Sequence, residues 1–223
     1  LIAKDVMFRT SFSWHGEQLE LLGDKAAWDP QRRTLLVADL HLGKAEVFQA
    51  HGIPLPSDGD AATLNALMAL AHRFKPLNVV VLGDLIHSRL GLTEELRAKL
   101  NALPDLLGCR LQLIGGNHER GSWIEGLPQE AAQQLGPWWL SHEPRSHQGR
   151  LNICGHLHPV GVLGNGTDRV RLPCFSYSAE DQRLILPSFG HLTGGHPRPL
   201  NEHLWLIADG ALIPWKQEST AAC

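Results

Sequence analysis

The chain has no C-x-x-C pair. Its cysteines, Cys109, Cys154, Cys174 and Cys223, stand far apart, which argues against a zinc finger or a dithiol redox motif. Cys109 and Cys154 sit in apolar runs and read as small buried hydrophobes. No apolar stretch reaches the roughly 18–20 residues that a membrane span requires. The opening LIAKDVMFRTSF carries no signal-peptide h-region. A membrane protein is therefore not expected, and a reducing cytoplasm is the simplest compartment. Charge of one sign is also missing: 20 Lys and Arg against 23 Asp and Glu leave a net −3, so no global basic field draws in nucleic acid. Repeats, low-complexity tracts and long linkers are absent. The 223 residues read as one domain, 1–223, large enough to fold without a disulfide or a structural metal.

Histidine is in excess, with 13 residues, more than packing needs, and this points to metal or acid–base chemistry. The 22 Gly and 14 Pro suit a loop-rich α/β or sandwich fold. QLELL (18–22) reads as an early strand, and TLLVAD (34–39), NVVVLGD (78–84) and CRLQLIGGN (109–117) as later ones. Their unbroken apolar character suits strands covered on both faces. Between them, Asp58–Phe74 repeats Leu64, Leu67, Met68 and Ala71 at helical spacing, with Ser57 or Asp58 as cap. A second helix is expected over Thr93–Leu103, capped by Thr93 and stopped by Pro104. Strand, helix, strand, helix, strand implies parallel pairing. After about residue 137, short strand-like pieces separated by turns predict a β-rich, partly antiparallel half. The expected fold class is α/β, two sheets packed face to face with helices outside.

Ligand-type residues close five of these strands in succession: Asp39-x-His41, Gly83-Asp84, Asn117-His118-Glu119, His142, and His156-x-His158. Carboxyl ends of parallel strands share one rim, where open α/β folds bind ligands. Asp39, His41, Asp84, Asn117, His142, His156 and His158 therefore converge on this reading, although about 120 positions separate the first from the last. The mixed carboxylate, imidazole and amide set suits manganese, iron or zinc better than calcium. Seven donors exceed one tetrahedral site and suit two ions. His156-x-His158, placed in a strand, puts both rings on one face. Each motif taken alone has a bland reading: Asp-x-His is weak, Gly-Asp is often only a turn, and a lone histidine is more often a satisfied one. The ordered set is what accident does not supply.

That ordered set resembles the calcineurin-like metallophosphoesterase superfamily over residues 35–160, with its D-x-H, G-D, G-N-H-[ED], lone His and G-H-x-H motifs. The resemblance implies a four-layer β-sandwich flanked by helices around two divalent ions. Asp39, His41 and His158 would hold one ion, and Asn117, His142 and His156 the other. Asp84 would bridge them, and His118 would stand beside the metals without binding them. DLHLGKA, His142-Glu143-Pro144 and LPSFGHLTGG (186–195) are similar to the bacterial PdeM type, described as ligase-associated DNA damage response endonucleases. This implies a phosphodiester substrate such as DNA and repair proteins (a ligase or helicase) as partners. Two departures stand out: Ser141 precedes His142 where many relatives have Gly, and His87 follows Gly-Asp where many carry another residue. His87 is expected to support the ligands from behind.

The chemistry such a site would run is in-line attack of an activated water on phosphorus, with His118 protonating the leaving oxygen. Arg120, Arg145 and Lys44 follow the motifs and could contact phosphate, although a solvated surface charge is the commoner state of such residues. Trp138 and Trp139 read as packing rather than a base-stacking platform, and His191, His196 and His203 as residues of an ordinary loop. A hydrolase of small nucleotides or phosphate esters is the competing enzymatic reading. A non-catalytic metal-binding scaffold is the competing reading of another class; every filled ligand position argues against it.

Overall fold

The computed structural model describes residues 7–56, 58–119, 127, 129–164, 168–199 and 201–215. The chain opens with an antiparallel meander of β1 (Arg9–Trp14), β2 (Glu17–Leu22), β3 (Ala26–Asp29) and β4 (Thr34–Val37). From β4 the pairing turns parallel. β5 (Asn78–Leu82), β6 (Arg110–Ile114) and the short β7 (Gln129–Glu130) complete a 7-stranded sheet in chain order. The β4–β5 connection runs through α1 (Lys44–Ala50) and α2 (Gly59–Phe74), and the β5–β6 connection through α3 (Glu94–Leu107), because parallel neighbours need long crossovers.

The second half forms a 9-stranded mixed sheet. It comprises β8 (Ala132–Leu135), β9 (Trp138–Ser141), β10 (Leu151–Cys154), β11 (Pro159–Leu163), β12 (Val170–Ser178), β13 (Arg183–Ile185), β14 (His196–Pro197), β15 (His203–Ala208) and β16 (Ala211–Trp215). Its centre, β9, β10 and β13, is parallel, and β12 pairs antiparallel with β11, β13 and β15.

Alternation of side chains along β4, β5 and β6 divides the interior in two. Leu36, Val80, Leu82 and Ile114 face the second sheet and pack with Trp138, Leu140, Ile153 and Phe175. Leu35, Val37, Val79 and Val81 face the other way, onto Leu64 and Leu67 of α2 and Leu96 and Leu100 of α3. Burial on both faces is why these strands read as continuous apolar runs. Each such side chain contributes about 1.5–3 kcal/mol. Across the sandwich, the fully buried Asp29 of β3 accepts from Trp138 Nε1 of β9 at 2.8 Å and from Arg32 Nη1 at 3.0 Å. That contact ties the two sheets together through a satisfied polar pair. Trp138 is core, as its sequence context suggests, and Trp139 is half-buried against His147.

One expectation changes. Pro104 does not end α3. In the last turn its missing N–H costs a single hydrogen bond, and the helix continues to Leu107, where Gly108 (φ 63°) closes it by donating to the Pro104 and Asp105 carbonyls. Thr93 caps the start as expected, accepting from the Leu96 N–H at 3.2 Å. Asp58 precedes α2 without a side-chain cap bond, and Ser57 lies outside the described residues. Two mixed sheets packed face to face and flanked by few helices match the expected α/β sandwich; among the described residues, α2 and α3 cover the first sheet. The outer face of the second sheet carries a small cluster of Cys174, Leu204 and Leu206. Among the described residues, no helix is long and apolar enough to cross a membrane.

Asp29→Ala should lower stability by about 3 kcal/mol, because it leaves the Trp138 N–H and the Arg32 guanidinium without their buried acceptor. Urea unfolding would show this as a drop in midpoint at unchanged slope. A loss below about 1 kcal/mol would mean the two sheets do not depend on this contact.

Candidate metal centre

Asp39 and His41 follow β4, Asp84 follows β5, Asn117 and His118 follow β6, His142 follows β9, and His156 and His158 follow β10. Hydrogen bonds between the loops fix their relative heights. Asp39 N donates to Gly83 O (3.1 Å), His41 N to Asp84 O (2.9 Å) and Gly155 N to His142 O (3.1 Å). Asp39, His41, Asp84, His156 and His158 all adopt left-handed backbone, with φ of 55°, 48°, 48°, 67° and 40°. A side chain there costs about 1–3 kcal/mol, so the loops spend stability to aim these groups inward. Two glycines make room. A Cβ at Gly83 would stand 2.1 Å from His142 Nδ1, and one at Gly116 would stand 2.2 Å from Asp84 Oδ1.

The ligand-type atoms of Asp39, His41, Asp84 and His158 lie within 4.8 Å of one another, and so do those of Asp84, His142 and His156. Asp84 belongs to both groups. Asn117 Oδ1, 2.9 Å from His142 Nε2, adds an amide oxygen to the second. The expected strand geometry of His156-x-His158 is overturned. Both lie in the turn between β10 and β11, where each adopts left-handed backbone, and their rings fall into different groups.

The donor set fits divalent metal. His142 Nδ1 is 2.9 Å from the Leu82 carbonyl. A carbonyl only accepts, so Nδ1 carries the proton and Nε2 of the neutral ring presents a lone pair. That lone pair faces two more acceptors, Asn117 Oδ1 at 2.9 Å and Asp84 Oδ2 at 3.4 Å. In the other group, His41 Nε2 and His158 Nε2 point at each other across 3.2 Å, with Asp39 Oδ1 3.5 Å from His158. His41 Nδ1 is buried without a partner. Converging electron pairs repel unless cations lie among them. Burial, reinforced by the neighbouring His158, His118 and His87, pushes the His41 pKa down to about 2. Burial likewise lowers His87 to about 4 and depresses His156. The rings are thus held neutral, the form that binds metal. Burial raises the Asp84 carboxyl, against the pull of His142 and His118.

His118 stands beside both groups. Its Nδ1 donates to the His87 carbonyl and its backbone N–H to Asp84 Oδ1 at 3.1 Å. Its Nε2 is left 3.7 Å from Asp84 Oδ2 on a partly exposed ring. His87 therefore supports the site through its backbone and through its ring, which stacks on His118 with centroids 5.2 Å apart. With His41 and His118, His87 also makes up a third cluster of ligand-type atoms.

Glu119 is the residue that sequence reasoning quoted without assigning. Its carboxylate, 1% exposed, accepts from the backbone N–H groups of Asp84 (3.0 Å), Ile86 (3.0 Å) and Gly116 (2.9 Å). The signal was the last letter of Gly-Asn-His-Glu. Lys44 is not a plain solvated charge: its ammonium is half-buried and donates to the Leu192 carbonyl at 2.8 Å. Arg145 is exposed beside the Asn117–His142 flank, and Arg120 lies outside the described residues. His196 and His203 are exposed, whereas His191 lines a cavity with His158.

Comparison with known proteins bears on what such a rim does. A comparison with curated proteins gave no match. Among solved structures, Pseudomonas putida nuclease MPE is 33% identical, with a TM-score of 0.76 over 93% of this chain and 100% of that one. Yfce, a phosphoesterase from E. coli, is 16% identical with a TM-score of 0.46 over 83% and 99%. The family model for calcineurin-like phosphoesterases matches residues 32–206, a span that contains every donor described above. The chain belongs to the calcineurin-like phosphoesterase family, and its chemistry is metal-dependent hydrolysis of phosphoric esters.

Proposed function

We infer that the chain is a two-metal phosphodiesterase that cuts nucleic-acid strands, with DNA the foremost substrate. The observation that carries this reading is the sharing of Asp84 by two donor groups, with His118 Nε2 beside it. Asp39, His41 and His158 would hold one ion, and Asn117, His142 and His156 the other, with Asp84 common to both. Manganese suits these mixed donors best, and iron or zinc would also fit. The P. putida relative is called a nuclease, which supports the substrate class. A cytoplasmic role in DNA repair, with a ligase or helicase supplying grip on DNA, completes the proposal; the net charge of −3 suits an enzyme that does not hold DNA tightly alone.

Bound divalent ions would supply Lewis acidity, activating water and offsetting charge on the phosphoryl oxygens. The chain's own residues do the rest. The His87 carbonyl fixes His118 Nδ1 as the protonated nitrogen, so Nε2 is the atom turned to the reacting centre. In the imidazolium form Nε2 also carries a proton. As the bond from phosphorus to the leaving oxygen breaks, that proton passes to the oxygen. Asp84 Oδ1 holds the backbone of His118, so one residue sets both the shared carboxylate and the position of the acid. Glu119 acts through Asp84, fixing its N–H and that of Gly116.

Hydrolysis of bis-p-nitrophenyl phosphate by metal-stripped protein resupplied with manganese tests the reading. Asp84→Ala should bind fewer ions by elemental analysis and lose at least about a thousandfold in turnover. His118→Ala should keep the full metal complement while kcat falls about 10²–10⁴-fold; loss of metal in that variant would refute the division of labour. Glu119→Ala should weaken metal binding about 10–100-fold and destabilise the fold, while Glu119→Gln, which keeps one acceptor oxygen, should recover part of both. Equal metal affinity in all Glu119 variants would show that Glu119 does not position the centre.

A further inference from the structure

Two cavities flank the centre, and they differ in charge. On the Asn117–His142 side, a cavity of about 300 Å³ is lined by Glu130 and Glu143 as well as Arg145. On the other side, a cavity of about 510 Å³ opens directly off His158. Lys25, Arg171 and His191 line it, together with Ser188 and Thr193, and no carboxylate does. The parts come from three separate pieces of chain. Lys25 lies in the β2–β3 turn, Arg171 in β12, and His191 and Thr193 in the loop after β13.

This cavity has unmet needs. Lys25 is half-buried, burial pulls its pKa down, and no ion pair forms at it among the described residues. A cation withdrawn from water without a counter-charge is costly. Thr193 Oγ1 is buried with no hydrogen-bond partner among the described residues, so a hydroxyl donor also waits there. Arg171 reaches the Gly195 carbonyl with one nitrogen of its guanidinium, and the other N–H groups of the fork are unengaged by any described carboxylate. Burial depresses His191, with Lys25 acting in the same sense and Asp58 against it. The loop that frames the cavity is pinned to the centre: His196 N donates to the His158 carbonyl at 2.9 Å, and a Cβ at Gly195 would fall 2.4 Å from that same oxygen. Its position is therefore fixed relative to His158.

We propose that this cavity is a second phosphate subsite, which takes the phosphodiester next to the scissile one in a nucleic-acid strand. The inference rests on the phosphodiesterase reading above and deepens it. Lys25 and Arg171 neutralise the phosphate, and Thr193 donates to one of its oxygens. The strand leaves the centre past His158, because the opposite flank presents Glu130 and Glu143. The site thereby selects substrates with at least one phosphate beyond the one being cut.

The test compares three substrates on the manganese-loaded enzyme and on Lys25→Gln, Arg171→Gln and the double variant. These are bis-p-nitrophenyl phosphate, a dinucleoside monophosphate and a short single-stranded oligodeoxynucleotide. The expected result is a fall of about tenfold or more in kcat/KM on the oligonucleotide alone, carried by KM. The two substrates with a single phosphate should stay within about twofold. The slope of log KM against log salt for the oligonucleotide should also shrink by about one for each charge removed, a readout that mere loss of fold would not give. Equal losses on all three substrates, or no loss on any, would overturn the subsite and leave the phosphodiesterase reading standing. Should Arg171→Gln misplace the Gly195 loop, Lys25→Gln alone decides the matter, since its ammonium makes no hydrogen bond among the described residues. A parent enzyme inert on every substrate would bring down the proposed function and the subsite with it.

Discussion

The buried carboxylate of Glu119 accepts hydrogen bonds from the backbone N–H groups of Asp84, Ile86 and Gly116, and the shape of the centre depends on it. Those groups belong to loops at the ends of two neighbouring strands, β5 and β6. Left unpaired in the interior, each N–H would cost about 1–3 kcal/mol. With Glu119 in place the two loops are held at a fixed separation, and Asp84 can offer its own Oδ1 to the His118 N–H. Asp39 repeats the device across the sandwich: both its oxygens accept from His156 N, at 3.1 and 2.9 Å. Carboxylates here first build loops, and the same carboxylates then face the centre.

The energetic cost of the arrangement is concentrated in few residues. Asp39, His41, Asp84, His156 and His158 hold left-handed backbone, and their ligand-type atoms crowd into groups no more than 4.8 Å across. Neither feature is stable in isolation. For Asp39, His41 and Asp84 they persist because β4 and β5, which carry them, are buried on two faces, between a helical layer and a second sheet. Strain at the rim is offset by close packing a few residues away. Metal would lower the electrostatic part of that cost, so binding of ions and stability of the loops are linked.

Much of the layout was legible in the chain itself. The doubly buried strands β4, β5 and β6 announce themselves through unbroken Val and Leu, because both faces must be apolar. The donor residues are recognisable because each comes just after a strand: Asp39, His41, Asp84 and Asn117 after these three, and His142, His156 and His158 after β9 and β10. Less legible were features that depend on what a segment meets in space. The helix α1 is short and has no long apolar repeat, so periodicity gives it no weight. Pro104 lies inside α3, since the packing of Leu103 and Leu107 outweighs a single lost hydrogen bond. His156 and His158 look like one face of a strand until the turn between β10 and β11 splays them. Lys44 resembles any surface lysine until the Leu192 carbonyl, 148 positions away, captures its ammonium.

Sequence by itself determined which residue types reach the rim and in what order, because strand ends and glycine turns are encoded locally. It also set the chemistry of the donors, since imidazole, carboxylate and amide carry their preferences wherever they fall. Only the tertiary structure decided which of those donors face each other. Asp84 meets both groups, and Glu119 turns its carboxylate inward to hold backbone rather than outward to solvent. The contrast between an acid-lined cavity and a cationic one arises the same way. Lys25 and Arg171 come from distant parts of the chain, and their summed field exists only once the two sheets have packed. Distances of a few ångströms between residues far apart in sequence govern these interactions, and no local pattern fixes such distances.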